Sequence, residues 1–195
     1  MPERLEKQIK FIMEIDKAKQ VFRQNLLLDG TRHENDAEHS WHLALMALVL
    51  SEYADYKIDL PKVIKMVLIH DIVEIYAGDT YCYDEVGYLD KEEREMQAAS
   101  AIYGLLPDDQ ALEFMELWQE FEGESTAEAR FAAALDRLQP LILNTYTDGY
   151  TWKKHDIDSS KVRKRNEKIA HTSQTLWEYA KSLIDQAIHK GDLRE

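Results

Sequence analysis

The pair His70-Asp71, at the end of a mostly apolar stretch (63–69), is the feature of this sequence most able to do chemistry. Two more carboxylates, Glu74 and Asp79, follow closely. Burying an ionised carboxylate without a partner costs far more than one hydrogen bond returns, so a cation is expected among these groups. A divalent metal ion would neutralise several of them. The alternative is a core histidine hydrogen-bonded to a neighbour, with Asp71 capping a helix or pairing with an arginine.

Two distant residues strengthen the metal interpretation. His39 and Asp136 both interrupt stretches that otherwise read as core-forming. Each alone has an ordinary explanation, such as an ion pair between Asp136 and Arg137. Together with His70 and Asp71 they offer two imidazoles and two carboxylates from three helices. Such a nitrogen and oxygen set suits Mn²⁺, Fe²⁺, Co²⁺ or Mg²⁺ and leaves coordination positions open on a six-coordinate ion.

The elements that must position these residues are helical, because apolar residues recur every three or four positions almost throughout. Asn35 and Glu38 form a capping box before the second helix, and Ser125 and Glu128 form another before the sixth. Pro140 should kink or break that sixth helix. We find no two-residue hairpin and no sustained alternation. The predicted helices span about 5–25, 35–54, 59–77, 91–105, 107–123, 125–146 and 160–190, with loops at 28–31, 80–90 and 147–158.

Composition excludes several classes of function. The 195 residues suit one domain, and 24 Lys and Arg against 37 Asp and Glu give a net charge of −13. Binding to a nucleic-acid polymer or to an anionic membrane surface is therefore not expected. Cys82 is the only cysteine, so neither an intrachain disulfide nor a cysteine-rich zinc site can form. The longest apolar run (43–50) is far shorter than the about 20 residues of a membrane span. A cytoplasmic protein is predicted.

The order His39, His70-Asp71, Asp136 resembles that of the HD-domain phosphohydrolase superfamily. The segment 70–74 followed by Gly78-Asp79 looks like the His-Asp-x-x-Glu-x-x-x-Gly-Asp signature of the small HD-domain 5′-deoxynucleotidases. Segments 34–40, 117–121 and 127–131 are also similar to this group. The resemblance implies an all-α, single compact HD-domain helical bundle over residues 1–195. Its metal-binding core would lie at about 9–143, and its C-terminal helix at about 160–190.

The resemblance also implies roles for particular residues. The ligands of one divalent ion (Co, Mn, Mg, Fe or Zn) would be His39, His70, Asp71 and Asp136. Glu74 matches the catalytic acid/base position and Asp79 an assisting carboxylate. Helix geometry agrees with the first of these roles, because Glu74 lies four residues from His70 and on nearly the same helix face.

A phosphate dianion entering such an acidic site needs additional positive charge. Arg32 matches an arginine of the family and is the first candidate for binding substrate phosphate. Arg23 is the second, although no tryptophan stands beside it as in the family's Arg-Trp pair. For both, a solvated surface charge is the alternative.

The function predicted from this resemblance is metal-dependent release of phosphate from (deoxy)nucleoside 5′-monophosphates. Alternatives are hydrolysis of a cyclic nucleotide, a nucleoside triphosphate or an alarmone, and a non-catalytic, metal-stabilised interaction module. A polyphosphate would need several converging Lys and Arg residues, and few stand near the motif. The basic run 162–165 with Lys168 is predicted to be the solvated face of the last helix. A homodimer is expected, because the family tends to dimerise and the long last helix would suit an interface.

Overall fold

The structure, a computed structural model, describes residues 2–84 and 86–195, and helices dominate it. This confirms the all-α prediction. The α-helices are α1 Glu3–Ile15, α2 Asp36–Leu50, α3 Leu60–Ile69, α4 Glu74–Ala77, α5 Lys91–Tyr103, α6 Asp108–Glu122, α7 Ala127–Tyr146, α8 Tyr150–Lys154, α9 Ser159–Asn166 and α10 Gln174–Lys190. Short 3₁₀ helices occupy Asp16–Gln20, Ser51–Tyr53, His70–Val73 and Glu167–His171.

A small antiparallel hairpin replaces the second half of the predicted first helix. Strand β1 (Phe22–Leu26) pairs with β2 (His33–Asn35), and the register is irregular between its two ends. Strands this short and irregular show no sustained alternation of polar and apolar residues, and the loop of residues 27–32 is longer than a two-residue hairpin turn. The turn lies in the predicted loop at 28–31, where Gly30 adopts a φ of 70°. Asn35 ends β2 and caps α2, which fixes the hairpin beside the start of that helix.

The capping box predicted for α2 is confirmed. The Asn35 side chain accepts a hydrogen bond from the Glu38 backbone N–H at 2.9 Å, and the Glu38 carboxylate accepts one from the Asn35 N–H at 3.2 Å. These two bonds satisfy backbone donors that the first helical turn would otherwise leave unpaired. His39 therefore begins its helix on a well-anchored first turn.

The other helix boundaries required corrections. The cap of α7 is Thr126, not Ser125, and the Glu128 carboxylate bonds the Asp59 N–H at the start of α3. Pro140 does not break α7, which is continuous from Ala127 to Tyr146. The predicted loop at 147–158 contains α8. The predicted last helix (160–190) is α9 and α10, separated by the 3₁₀ helix Glu167–His171.

The main core joins helices from both ends of the chain. Side chains from α2, α3, α7, α9 and α10 form one buried cluster, which includes Leu43, Val67, Leu135, Val162 and Ile184. A second cluster packs α1, α5 and α6 around residues such as Phe11 and Ile102. Within the described ranges, no helix is long and apolar enough to cross a membrane.

Candidate metal centre

The four residues predicted as ligands lie close together, but they do not all fall in one group. Single donor atoms of His39, His70 and Asp136 lie within 4.8 Å of one another, whereas Asp71 forms such a group with Asp36 and Glu74. Nε2 of His39 lies 3.1 Å from Oδ1 of Asp136, and Nε2 of His70 lies 3.1 Å from Oδ2 of Asp71. The crossed pairs, His39 with Asp71 and His70 with Asp136, are each separated by 3.7 Å. The group has one His from α2, the pair 70–71 from the 3₁₀ helix after α3, and one Asp from α7.

Hydrogen bonds on the far side of each imidazole fix which nitrogen faces the two aspartates. Nδ1 of His39 donates to Oε1 of Gln139 at 3.2 Å, and Nδ1 of His70 donates to the Val67 carbonyl at 3.0 Å. The Gln139 amide is itself oriented, because its Nε2 donates to Glu34 at 2.7 Å. Both Nε2 atoms therefore face the two carboxylates, and each could offer a lone pair to a metal ion that displaced its proton.

A 3₁₀ helix breaks the predicted continuous helix at the site. Residues 70–73 form a 3₁₀ helix between α3 and α4, so Glu74 does not follow His70 on one regular α-helix. In a 3₁₀ helix, side chains three residues apart are eclipsed. This brings Asp71 and Glu74 together: oxygens of these carboxylates and of Asp36 all lie within 4.8 Å of one another.

Arg23 lies among these carboxylates. It extends from β1, its Nη1 hydrogen-bonds Asp71, and the same atom is 3.7 Å from Oδ1 of Asp36. Its Nη2 lies 3.8 Å from Oδ1 of Asp136. The guanidinium thus supplies positive charge at the centre. The hairpin positions it there because β2 leads directly into α2.

Arg32 is located elsewhere. Its guanidinium makes a two-pronged ion pair with Glu38, with bonds of 2.8 and 2.5 Å, and its side chain is 48% exposed. Because Glu38 is also the partner of Asn35 in the capping box of α2, this ion pair lies at the start of that helix. The structure therefore brings Arg23, and not the first candidate Arg32, into the cluster of predicted ligands.

The electrostatics of the cluster are those of a cation site. Burial would lower the pKa of His70, but Asp71 and Asp136 outweigh burial and raise this pKa to about 10. Burial would raise the pKa of Asp136, but the hydrogen bond from His39 and the nearby charge of His70 hold this pKa well below its usual range. The carboxylates thus remain ionised and attract positive charge.

The pKa values of Glu74 and Asp79 are shifted in the opposite direction, upward. Burial, reinforced by the charge of Asp71 and Asp79, raises the pKa of Glu74 well above its ordinary value. Burial also raises the pKa of Asp79, although Arg23 opposes the shift. Both residues line the same small cavity as His70 and Asp136, about 90 Å³ in volume. Burial thus favours the protonated form of both carboxyl groups.

The residues present fit a divalent metal ion. Nε2 of His70 is buried beside carboxylate oxygens of Asp71 and Asp136, and it makes no well-aligned hydrogen bond to any of the described residues. Cis ligands of a six-coordinate ion with bonds of about 2.1 Å are about 3 Å apart, close to the separations of 3.1–3.7 Å found here. The donor set is also the mixed nitrogen and oxygen type that such ions accept.

Two residues of this neighbourhood were not assigned from the sequence. Gln139, which orients His39, follows Asp136 by three residues on α7, and Asp36 precedes His39 by three on α2. In each case the spacing of three residues from a predicted ligand, which places both side chains on one helix face, could have indicated the residue from the sequence. Burial raises the pKa of Asp36 to about 8, and Asp71 adds to the shift.

The sequence model of the HD domain family matches residues 15–177 of this chain. The chain belongs to the HD domain family. The match extends from the end of α1 into α10 and includes every residue predicted for the metal site.

Two solved structures share this architecture. The crystal structure of a predicted metal-dependent phosphohydrolase from Magnetospirillum magnetotacticum has a TM-score of 0.95 and 54% identity, covering 98% of this chain and 96% of that one. A conserved hypothetical protein from Pyrococcus furiosus has a TM-score of 0.64 at 24% identity, covering 93% and 99%. The second likeness concerns the fold alone.

Curated relatives of this HD-domain chain carry the name 5′-deoxynucleotidase HDDC2. The human protein is 33% identical over 111 residues, which cover 57% of this chain and 53% of the human protein. The mouse protein is 30% identical over 135 residues, covering 69% and 66%. The chain thus spans about half to two thirds of the length of these relatives.

Proposed function

We propose that this HD-domain chain is a metal-dependent phosphohydrolase that releases phosphate from (deoxy)nucleoside 5′-monophosphates. The observation that carries the proposal is that Nε2 of His39 and of His70 each lie 3.1–3.7 Å from carboxylate oxygens of Asp71 and Asp136, beside the buried carboxyl group of Glu74. The names of the human and Magnetospirillum relatives support the same reaction class.

One divalent ion (Co, Mn, Mg, Fe or Zn) would be held by these two histidines and two aspartates. When bound, it lowers the pKa of a water molecule and polarises the phosphoryl group. Gln139 and the Val67 carbonyl keep the imidazoles turned toward it.

Arg23 would bind the phosphate. Its guanidinium fork can bond two phosphoryl oxygens at once, and it lies within 3.8 Å of carboxylates on both sides of the centre. Its position on the hairpin, beside the start of α2, orients the phosphate against the ligand cluster. This role is assigned to Arg23 in preference to Arg32.

Glu74 would act as the general acid. Burial and neighbouring carboxylates raise its pKa, which favours the protonated form that a general acid needs. As a water oxygen bonds to phosphorus and the bond between phosphorus and the ester oxygen breaks, Glu74 would deliver its proton to the departing 5′-oxygen, and the attacking water would release one proton to solvent. Asp79, half-buried in the same cavity, would assist by holding Glu74 in its protonated form through like-charge repulsion.

We also propose that residues 1–195 form one HD domain, of which Met1 and Glu85 lie outside the described residues. The family match covers 15–177, and α9 and α10 pack into the same core as α2, α3 and α7. A cytoplasmic location is proposed because a lone cysteine, Cys82, suits a reducing compartment.

A homodimer is proposed through α2. Trp41, Leu45, Leu48 and Val49 follow the helical spacing and are all exposed, with Trp41 at 62% and Val49 at 67%. An exposed apolar stripe of this kind is typical of a protein interface. The last helix, which the sequence favoured, contributes one large exposed apolar side chain among its described residues, Tyr179.

The proposed reaction is tested by removing metal with a chelator, restoring Co²⁺, Mn²⁺ or Mg²⁺, and measuring phosphate released from a panel of nucleotides. We expect metal-dependent release from 5′-monophosphates. Glu74→Gln should lower kcat by about 10²–10⁴-fold while the protein still binds metal, because only proton transfer is lost. Release of pyrophosphate, or full turnover by Glu74→Gln, would contradict the proposal.

A further inference from the structure

A second cavity, about 520 Å³ in volume, adjoins the metal centre and is basic. One side carries the aromatic rings of Tyr83 and Tyr88, and among the described residues only one carboxylate, Asp84, lines it. In a chain with a net charge of −13, this is a local reversal of charge. The cations that line it are Arg137, Lys161, Lys164, Arg165 and Lys168.

The basic cavity is continuous with the site. Cys82, Tyr88 and Arg165 line both this cavity and the small one that contains His70 and Asp136. Nη2 of Arg165 lies 3.9 Å from Oδ2 of Asp136. A molecule whose reacting group lies at the metal centre can therefore extend past Arg165 into the basic cavity.

Part of this positive charge is not neutralised by the protein. Glu124 accepts hydrogen bonds from Arg137 at 2.6 Å and from Lys168 at 2.9 Å, and its negative charge compensates the positive charge of these two residues. The ammonium groups of Lys161 and Lys164 make no ion pair with any of the described residues. Unpaired cations converging on a concave surface are the arrangement that binds a phosphate group.

The basic run 162–165 with Lys168 is divided between two surfaces. Arg163 pairs with Asp185 at 2.5 Å on the exposed side, as a solvated helix face would. Lys164, Arg165 and Lys168, however, line the cavity. The sequence favoured a substrate with a single phosphate because few Lys and Arg residues stand near the motif. In the structure, α9 and the 3₁₀ helix that follows it supply such cations from a segment far from the motif in sequence.

We propose that the basic cavity binds a second phosphate of the substrate, and that the favoured substrate class is a nucleoside 3′,5′-bisphosphate. The inference rests on the proposed function, which sets the 5′-phosphate at the metal centre. One sugar ring then separates it from the 3′-phosphate, which lies among Lys161, Lys164 and Arg165. A 3′-phosphate is favoured over a 5′-triphosphate chain because Tyr83 and Tyr88 line the same cavity and offer rings to a sugar or base.

The test compares phosphate release from deoxyadenosine 5′-monophosphate, deoxyadenosine 3′,5′-bisphosphate and deoxyadenosine 5′-triphosphate by the metal-loaded protein. We expect kcat/KM to be about tenfold higher for the bisphosphate than for the monophosphate, the effect of one or two charge-assisted bonds. In Lys161→Gln/Lys164→Gln this ratio should fall to about one. The matched control, Lys57→Gln/Lys190→Gln, changes two exposed lysines outside both cavities and should keep the ratio.

A binding measurement separates this proposal from the proposed function. The Glu74→Gln protein, with metal present, is titrated calorimetrically with the bisphosphate, the monophosphate and inorganic pyrophosphate. Tighter binding of the bisphosphate that is lost in the double variant supports the cavity even if no nucleotide is hydrolysed. Monophosphate turnover without any bisphosphate preference overturns the cavity proposal alone. A preference for the triphosphate, or equal binding of pyrophosphate, also overturns it.

Discussion

Gln139 and His39, separated by 100 positions in sequence, are joined by a hydrogen bond of 3.2 Å from Nδ1 of the imidazole to the amide oxygen. Gln139 is buried on α7, and its amide group is held by a second bond to Glu34 at 2.7 Å. This chain of bonds determines that Nε2 of His39 faces Asp71 and Asp136. The tautomer of the imidazole is thus set by a residue outside the ligand set.

Replacing Gln139 should weaken metal binding without removing a ligand. Gln139→Leu is expected to lower metal affinity about 10–100-fold, the usual effect of losing a partner that orients a ligating histidine. Titration of the chelator-stripped protein with Mn²⁺ measures it. The control is Asn144→Leu, which removes a different buried amide from the same helix. Equal affinities for both variants would rule out the orienting role of Gln139.

Arg23 and Arg32 should behave differently although the sequence offered both. Arg23→Lys keeps the charge but loses the two-pronged geometry, so KM for a 5′-monophosphate is expected to rise about 10-fold or more. Arg32→Lys should leave KM within about twofold, because Arg32 bonds Glu38 at an exposed helix start. Steady-state kinetics of the two variants decide between them. A larger rise for Arg32→Lys would reverse the assignment.

The packing of α10 predicts that both ends of the chain unfold together. Leu183 is 2% exposed in the main core, so Leu183→Ala should lower the free energy of unfolding by about 2–5 kcal/mol. The control is Leu112, which is 59% exposed on α6. Leu112→Ala should change the free energy of unfolding by less than about 0.5 kcal/mol. Urea unfolding followed by circular dichroism measures both. Two separate transitions would show that the C-terminal helices are an independent unit.

The exposed stripe on α2 gives a prediction for oligomeric state. Light scattering coupled to size-exclusion chromatography should give twice 22.8 kDa for the parent protein. Trp41→Glu/Val49→Glu should give the monomer mass, because two charges would be buried against an apolar partner surface. Leu112→Glu places a charge on an exposed apolar site of α6 and should leave the dimer intact. A monomeric parent protein would exclude the α2 interface at the concentration used.

Local signals predicted local structure well. The capping box of Asn35 and Glu38 and the turn at 28–31 are confirmed, because each depends on residues a few positions apart. Boundaries that depend on distant contacts were missed. Nothing in the sequence of 16–26 separates a helix from a 3₁₀ helix and a strand; the strand forms because β2 and α2 are available to pair and pack with it.

Residue types and spacing in the sequence determined which chemistry is available: two imidazoles and a set of carboxylates in otherwise apolar helices, which only a cation can stabilise. Tertiary structure decided which of the other charged groups join them. Arg23 enters and Arg32 does not, Gln139 orients His39, and Arg165 connects the centre to a basic cavity. The physical reason is that electrostatic and hydrogen-bond energies depend on distances of a few ångströms between side chains, and packing sets those distances between segments far apart in the chain.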